Sequence, residues 1–338
     1  MDLKNLPKID LHLHLDGAIR VPTIAELGDN LGVKLPTYDP KQLAKFVQVD
    51  RDCRSLTDYL KRFEVFYPIL PFAKTQERIA YELCEDCARD NVIYFETRFA
   101  PALASSQRFT MEDAVVAALE GLRRGQRDFN VKCGLILCCY RSITPQQNVE
   151  TVKLAYKYRD KGVLGIDLAG DELHHPSRPH AAAFALARKL EISITIHAGE
   201  GGDPEHIREA VFEHGATRIG HGVSLQKDPE LLKQVRDRGT VFEICLTTNL
   251  QTCTVPSVAA HPFKKFLDEG LRVTLNTDDP AISNITLTDE FKLAASEFKL
   301  KPAQVRQLLV NAAQAAFNSI TLRNILVAQV EKEPRLFT

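Results

Sequence analysis

The chain has 338 residues, 44% of them hydrophobic and 26% charged, the balance of a globular protein with a sizeable core. Its formal net charge of −1 provides no field for nucleic acid or a membrane surface, and no apolar run approaches the roughly 20 residues of a membrane-spanning helix. No secretory apolar segment opens the chain and its eight cysteines follow no regular framework, so reduced thiols and a cytoplasmic location are expected.

In chain order, Ile9 to Asp16 alternates apolar and polar residues and predicts a strand that ends in an Asp16-Gly17 turn. Residues two apart on a strand share a side, so Asp10, His12, His14 and Asp16 are expected on one face, with Leu11, Leu13 and Leu15 on the other. Two imidazoles placed this way can hold one metal ion; a half-buried strand with a polar outer face is the plain alternative. A helix at Pro22–Leu31 and a Pro- and Asp-bearing connection to about Ser55 follow. Leu56, Tyr59, Leu60, Phe63 and Phe66 then recur at helical spacing, which by itself points to core packing.

From there strands and helices alternate. The spacing predicts a helix at Gln76–Arg89 and a strand at Val92–Thr97, then helix Thr110–Arg127 and strand Val131–Cys138. Helix Gln147–Asp160, strand Val163–Leu168, helix His180–Leu190 and strand Ile192–Ile196 come next. Helix Pro204–His214, strand Thr217–Ile219, helix Pro229–Arg238 and strand Thr240–Cys245 follow. Helix Ala259–Glu269 and strand Leu271–Leu275 precede a helical remainder from about Leu287, clearest at Ala303–Phe317. Eight strands, each followed by helical sequence, predict an α/β fold: a (β/α)8 TIM barrel with an inserted helical segment after strand 1 and extra C-terminal helices. One domain spanning residues 1–338 is expected. A doubly wound open sheet is the alternative, but no Gly-x-Gly-x-x-Gly follows the first strand.

Polar residues gather where strands end: Asp167-Leu168-Ala169-Gly170-Asp171, His197-Ala198-Gly199-Glu200, Gly220-His221-Gly222 and Asn276-Thr277-Asp278-Asp279-Pro280. In a barrel these ends converge on one rim, where His12, His14, His197 and Asp278 make a three-imidazole, one-carboxylate set suited to zinc. The remaining histidines (His174, His175, His180, His206, His214 and His261) lack a strand-end partner and are read as packing residues. Cys84-x-x-Cys87 and Cys138-Cys139 are read as core.

With these motifs in place, and with Phe242-Glu243-Ile244-Cys245, the chain resembles the adenosine/AMP deaminase family from residue 9 to residue 280. The resemblance implies zinc-dependent hydrolytic deamination of adenosine and 2′-deoxyadenosine, with one zinc per chain on His12, His14, His197 and Asp278. It makes Glu200 the proton donor to purine N1 and His221 the partner that deprotonates or orients the attacking water. Asp279 becomes a catalytic group on the N7 side, the Gly170 N–H meets N3 and Asp16 holds the ribose 5′-hydroxyl. His14 borders substrate as well as metal. Leu56, Tyr59, Leu60 and Phe63 look like the family's apolar helix over the substrate, against the core reading that their spacing suggests. One departure is the run Leu246-Thr247-Thr248-Asn249-Leu250-Gln251, where vertebrate-type members have a proline and a different run. It leaves open a modified adenine nucleoside such as aminodeoxyfutalosine. A two-metal amidohydrolase is disfavoured because the end of strand four offers no lysine, and a non-catalytic barrel because no candidate ligand is lost. The expected partner is a small-molecule purine nucleoside, with neither nucleic acid nor membrane; oligomeric state is not legible.

Overall fold

In the computed structural model, which describes residues 2–50 and 53–334, eight strands pair in chain order, each parallel to the next. They are β1 (Lys8–His14), β2 (Val92–Phe99), β3 (Lys132–Tyr140), β4 (Val163–Ala169), β5 (Ser193–Ala198), β6 (Arg218–His221), β7 (Val241–Ile244) and β8 (Arg272–Leu275). β8 reaches β1 just beyond its own end. There the Asp278 N–H donates to the His12 carbonyl at 2.8 Å, and the His14 N–H donates to the Asp278 carbonyl at 2.7 Å. The barrel seam therefore closes through three of the four residues read as ligands.

Four helices, α1 (Val21–Leu31), α2 (Pro40–Val47), α3 (Leu56–Glu64) and α4 (Ala73–Arg89), fill the connection between β1 and β2. α5 (Met111–Phe129), α6 (Pro145–Lys157), α7 (Ala181–Lys189), α8 (Pro204–Arg208) and α9 (Pro229–Arg238) follow β2 to β6 in turn. α10 (Leu246–Gln251) and α11 (Phe263–Asp268) follow β7, and α12 (Pro280–Ser283), α13 (Leu287–Glu297), α14 (Pro302–Ala315) and α15 (Ile320–Glu331) follow β8. Three of the helices start at capping boxes written in their sequence. Reciprocal side-chain and backbone bonds between Thr110 and Asp113, Thr144 and Gln147, and Thr286 and Asp289 open α5, α6 and α13.

The predicted barrel and its order are observed; the details that differ have local causes. α2 lies inside the segment read as a connection. Asp39 caps it and Pro40 starts it, but only Leu43 and Val47 are buried, too sparse an apolar stripe to register as a helix. Arg51 and Asp52 of that connection lie outside the described residues, as do residues 1 and 335–338 of the expected single domain. The helix read at Pro204–His214 turns into a π-helical turn at Glu209–Glu213. The helix read at Ala259–Glu269 breaks at His261, whose ψ of 133° is the extended conformation that Pro262 requires of its predecessor. α10 is unforeseen because its cap is remote: the Glu290 carboxylate of α13 accepts the N–H groups of Leu246 and Thr247.

The first strand also ends sooner than its alternation suggests. β1 stops at His14, and Asp16 opens a 3-10 turn, Asp16–Ala18. A register shift between Asp10 and Leu13 breaks the shared face. Asp10 instead accepts from the Thr277 hydroxyl at 2.6 Å and from the His12 N–H at 3.2 Å, bracing the seam between β1 and the chain after β8.

The barrel interior is ionic. Arg98, Arg218, Glu96, Asp167 and Glu243 are all buried and mutually paired, which full burial of such groups demands. The four cysteines read as core are buried and free. Among the described residues no helix is long and apolar enough to cross a membrane.

Candidate active site

His12 and His14 come from β1, His197 from β5, and Asp278 from the turn after β8. One nitrogen or oxygen atom of each lies within 4.8 Å of all the others. The Nε2 atoms of His14 and His197 are 3.1 Å apart, and Asp278 Oδ1 is 3.2 Å from His12 Nε2 and 3.3 Å from His14 Nε2. On the opposite ring edges, His12 Nδ1 is 2.8 Å from Glu243 Oε2 and His197 Nδ1 is 2.9 Å from Asp167 Oδ2. Carboxylates only accept, so both Nδ1 atoms carry a proton, and the Nε2 atoms are the ring nitrogens left to face a cation. Buried His12 Nε2 has no hydrogen-bond partner. A cation is what such a donor set fits, and imidazole nitrogens with one carboxylate suit zinc.

The backbone is shaped to permit this. Asp278 and His221 both hold left-handed φ values of 62°, uncommon for residues with a side chain. Gly220 has no room for a Cβ, which would lie 2.8 Å from the His12 ring. Behind the imidazoles, Arg98 bridges their two carboxylates, 3.1 Å from Asp167 Oδ2 and 3.1 Å from Glu243 Oε2. One guanidinium thus fixes the partners of both His12 and His197.

Glu200 lies beyond β5 on a loop held from beneath. The Glu172 carboxylate accepts the N–H groups of Gly199, Gly201 and Gly202 at 2.9, 2.6 and 2.7 Å, and pairs with His206 Nδ1 at 3.1 Å. The Glu200 carboxyl itself has a hydroxyl partner, Thr252, at 3.3 Å. Burial, then the negative charges of Asp278 and Glu172, push it well above the usual carboxylate range. A shift in that direction favours the protonated carboxyl, the form able to give a proton. His221 Nε2 lies 3.6 Å from Glu200 Oε2 and 3.9 Å from Asp278 Oδ2, and burial pulls its pKa down to about 3.

Asp279 packs against Gly17, where a Cβ would fall 1.8 Å from its Oδ1. Its Oδ2 accepts from the Tyr59 hydroxyl of α3 at 3.1 Å, while buried Oδ1 has no partner. Burial, Asp278 and Asp16 together drive its carboxyl well upward. Asp16 also keeps a buried, unpartnered Oδ1, and burial pushes its carboxyl up to about 6.

These groups share one cavity. Its reacting side is lined by His14, His197, Glu200, His221, Asp278 and Asp279; His12 sits behind them. Asp16 and Gly170 border it, and α3 covers it with Leu56, Tyr59, Leu60 and Phe63. The spacing-based core reading of these four is half right: Tyr59 and Phe63 are buried, yet they face the cavity. Every residue nominated from the sequence is therefore at or directly behind the cavity. The six other histidines stay out of the metal-ligand groups found among the described residues. Residues missed as site-builders are Arg98, Asp167, Glu172 and Glu243. The available signal was a lone charge inside an otherwise apolar strand, as in Phe242-Glu243-Ile244. His221, Cys245 and Asp278 also converge, but burial keeps the Cys245 thiol protonated.

Comparison with known proteins fits this geometry. The sequence pattern of the family described as adenosine deaminase matches residues 7–333. An adenosine deaminase of Clostridium botulinum (strain Okra / Type B1) is 38% identical over 333 residues, covering 98% of this chain and 99% of the relative. The N6-methyl-AMP deaminase of Arabidopsis superposes with a TM-score of 0.88 at 30% identity, covering 98% of this chain and 99% of that one. An amidohydrolase of Burkholderia ambifaria solved with bound zinc gives a TM-score of 0.88 at 26% identity, covering 99% and 92%. With the family pattern spanning nearly its whole length around an intact ligand set, this chain belongs to the adenosine deaminase family.

Proposed function

We propose that this protein hydrolyses adenosine and 2′-deoxyadenosine to inosine and 2′-deoxyinosine with release of ammonia, using one zinc ion held by His12, His14, His197 and Asp278. Zinc at that position supplies a nucleophilic water at neutral pH. The observation that carries the reading is the buried Glu200 carboxyl, pushed well upward by burial, in the same cavity as the converging set His12, His14, His197 and Asp278. Glu200 gives its proton to purine N1, which makes C6 electron-poor as water adds there and the C6–N bond breaks. Purine N7 accepts hydrogen bonds only, so a carboxyl facing it must be protonated; Asp279, pushed well upward by burial, meets that requirement. The Gly170 N–H meets N3, and α3 lays Leu56, Leu60 and Phe63 over the base.

The unpartnered Oδ1 of Asp16 accepts from the ribose 5′-hydroxyl, and its carboxylate disfavours a phosphate at that position. No lysine or arginine lines the cavity among the described residues, so nothing there neutralises a 5′-phosphate. The test is a turnover screen over adenosine, 2′-deoxyadenosine, adenine, AMP and 6-amino-6-deoxyfutalosine. Adenosine and its deoxy form are expected to lead; a preference for AMP or for the futalosine derivative would overturn the substrate assignment.

A further inference from the structure

His221 leaves a choice that its position alone does not settle: a bare Nε2 takes a proton from the attacking water, whereas an Nε2–H donates to that water's oxygen. The answer lies on the far side of the ring, in a chain of buried hydrogen bonds from α11 through α10. The Phe263 N–H donates to His261 Nδ1 at 3.0 Å. His261 Nε2 is 3.1 Å from Asn249 Oδ1, and Asn249 Nδ2 is 3.1 Å from His221 Nδ1. All three side chains are at most 4% exposed.

The direction of this chain follows from its first member. A backbone N–H can only donate, so His261 Nδ1 presents a lone pair. Burial pulls the pKa of His261 down to about 3, so its ring is neutral and its single proton sits on Nε2. That proton points to Asn249, which must receive it on oxygen. The amide orientation is thereby fixed without any appeal to the resemblance between its oxygen and nitrogen. The Asn249 amide nitrogen then faces His221 and donates to its Nδ1. With Nδ1 accepting that bond, the His221 ring proton sits on Nε2. Its nearest neighbours on that side are Glu200 Oε2 and Asp278 Oδ2, both able to accept.

We propose that Asn249 and His261 are positioning residues that lock His221 in the Nε2–H tautomer, so that it orients the attacking water as a hydrogen-bond donor and does not take its proton. The inference rests on the deaminase reading for the identity of that water, but the tautomer is a property of the chain itself. Thr248 precedes Asn249 on the wall of the cavity, so α10 supplies both a lining group and the tautomer lock. Glu290 sets where α10 begins, through the N–H groups of Leu246 and Thr247.

The experiment is nitrogen-15 NMR of the full chain labelled at histidine, zinc-loaded and again after metal removal, with His221 assigned by its loss in His221→Gln. Long-range nitrogen–proton couplings report which ring nitrogen bears the proton. The expected result in the wild type is Nε2–H for His221 in both states. Asn249→Asp replaces the donor with an acceptor and is expected to switch His221 to Nδ1–H. The same change should lower kcat by about 10²-fold with little change in KM, the scale of one lost preorganised hydrogen-bond donor. Asn249→Gln, which restores an amide, should recover part of that loss. An Nδ1–H signal for His221 in the wild type overturns the proposal whether or not any variant folds, and so does an unchanged tautomer in Asn249→Asp. Failure to turn over adenosine with the Nε2–H tautomer intact would instead count against the substrate reading.

Discussion

Replacing Glu172 by glutamine is a sharp test of how the acid loop is held. The carboxylate accepts two backbone N–H groups on Oε1, from Gly201 and Gly202, and has Gly199 and His206 on Oε2. Glutamine keeps one acceptor oxygen and turns the other into a donor, which then faces the N–H groups of Gly201 and Gly202 in one orientation or that of Gly199 in the other, where His206 can change tautomer to accept. Hydrogen bonds to a charged group contribute about 1.5–3 kcal/mol each, so losing one or two costs about 1.5–6 kcal/mol. Titration gives a second route to the magnitude. Burial opposes ionisation of Glu172, but the bond from His206, the charge of Arg141 and the Gly202 N–H outweigh it and lower its pKa from 4.5 to about 2. A displacement of that size corresponds to roughly 3 kcal/mol. Because the folded value is depressed, this stability is complete above about pH 4.5 and is lost as pH falls toward about 2. Urea denaturation of wild type and Glu172→Gln should therefore differ by about 3 kcal/mol at pH 7, with the gap narrowing below pH 4.5. Titration of the metal ligands is common to both chains and cancels in the difference. The variant should also lose kcat, because Glu200 rides on the released loop. A gap under about 0.5 kcal/mol at pH 7, the scale of an ordinary surface substitution, would refute the argument, as would a gap that ignores pH.

Three further outcomes are expected. Alanine at His12, His14, His197 or Asp278 should abolish both bound metal and activity, measured by elemental analysis beside turnover; two metals per wild-type chain would point to the amidohydrolase alternative. Glu200→Gln should keep its metal and its fold, yet lose roughly 10² to 10⁴ of turnover as expected for a missing general acid; near-normal rates would remove Glu200 from its role. Asp16→Asn should lower adenosine turnover and relax the disfavour of AMP, read as the ratio of the two kcat/KM values; an unchanged ratio would make Asp16 a turn residue only.

The barrel was legible because its strands and helices are specified locally, by apolar runs, caps and turns that sit next to one another in sequence. The site was legible where a ligand type stood at a strand end, as with His197 and Asp278. What escaped is non-local. α10 has no cap of its own and starts where Glu290, more than 40 residues later in the chain, meets it. Asp10 lies in step with His12 by period, yet one register shift takes it out of the ligand set. Glu243 reads as an isolated charge in a strand; only closure of the barrel sets it between His12, Arg98 and Arg218. His261 was set aside as a packing residue, and only its three-dimensional neighbours show which nitrogen it offers to Asn249.

The barrel seam has a consequence for how the chain is completed. Two of the proposed ligands arrive with the first strand, but the fourth comes only after the last, at Asp278. Until residue 278 is made, the chain has both imidazoles of β1 but lacks the carboxylate of the proposed set, and the hydrogen bonds that place Asp278 are the ones that join the end of β8 to β1. A cation held there fastens the two ends of the sheet and stabilises the closed form over every open one by the free energy of its binding. A chain cut short before residue 278 would retain the three imidazoles of the proposed set but lack its carboxylate and the seam bonds that place it.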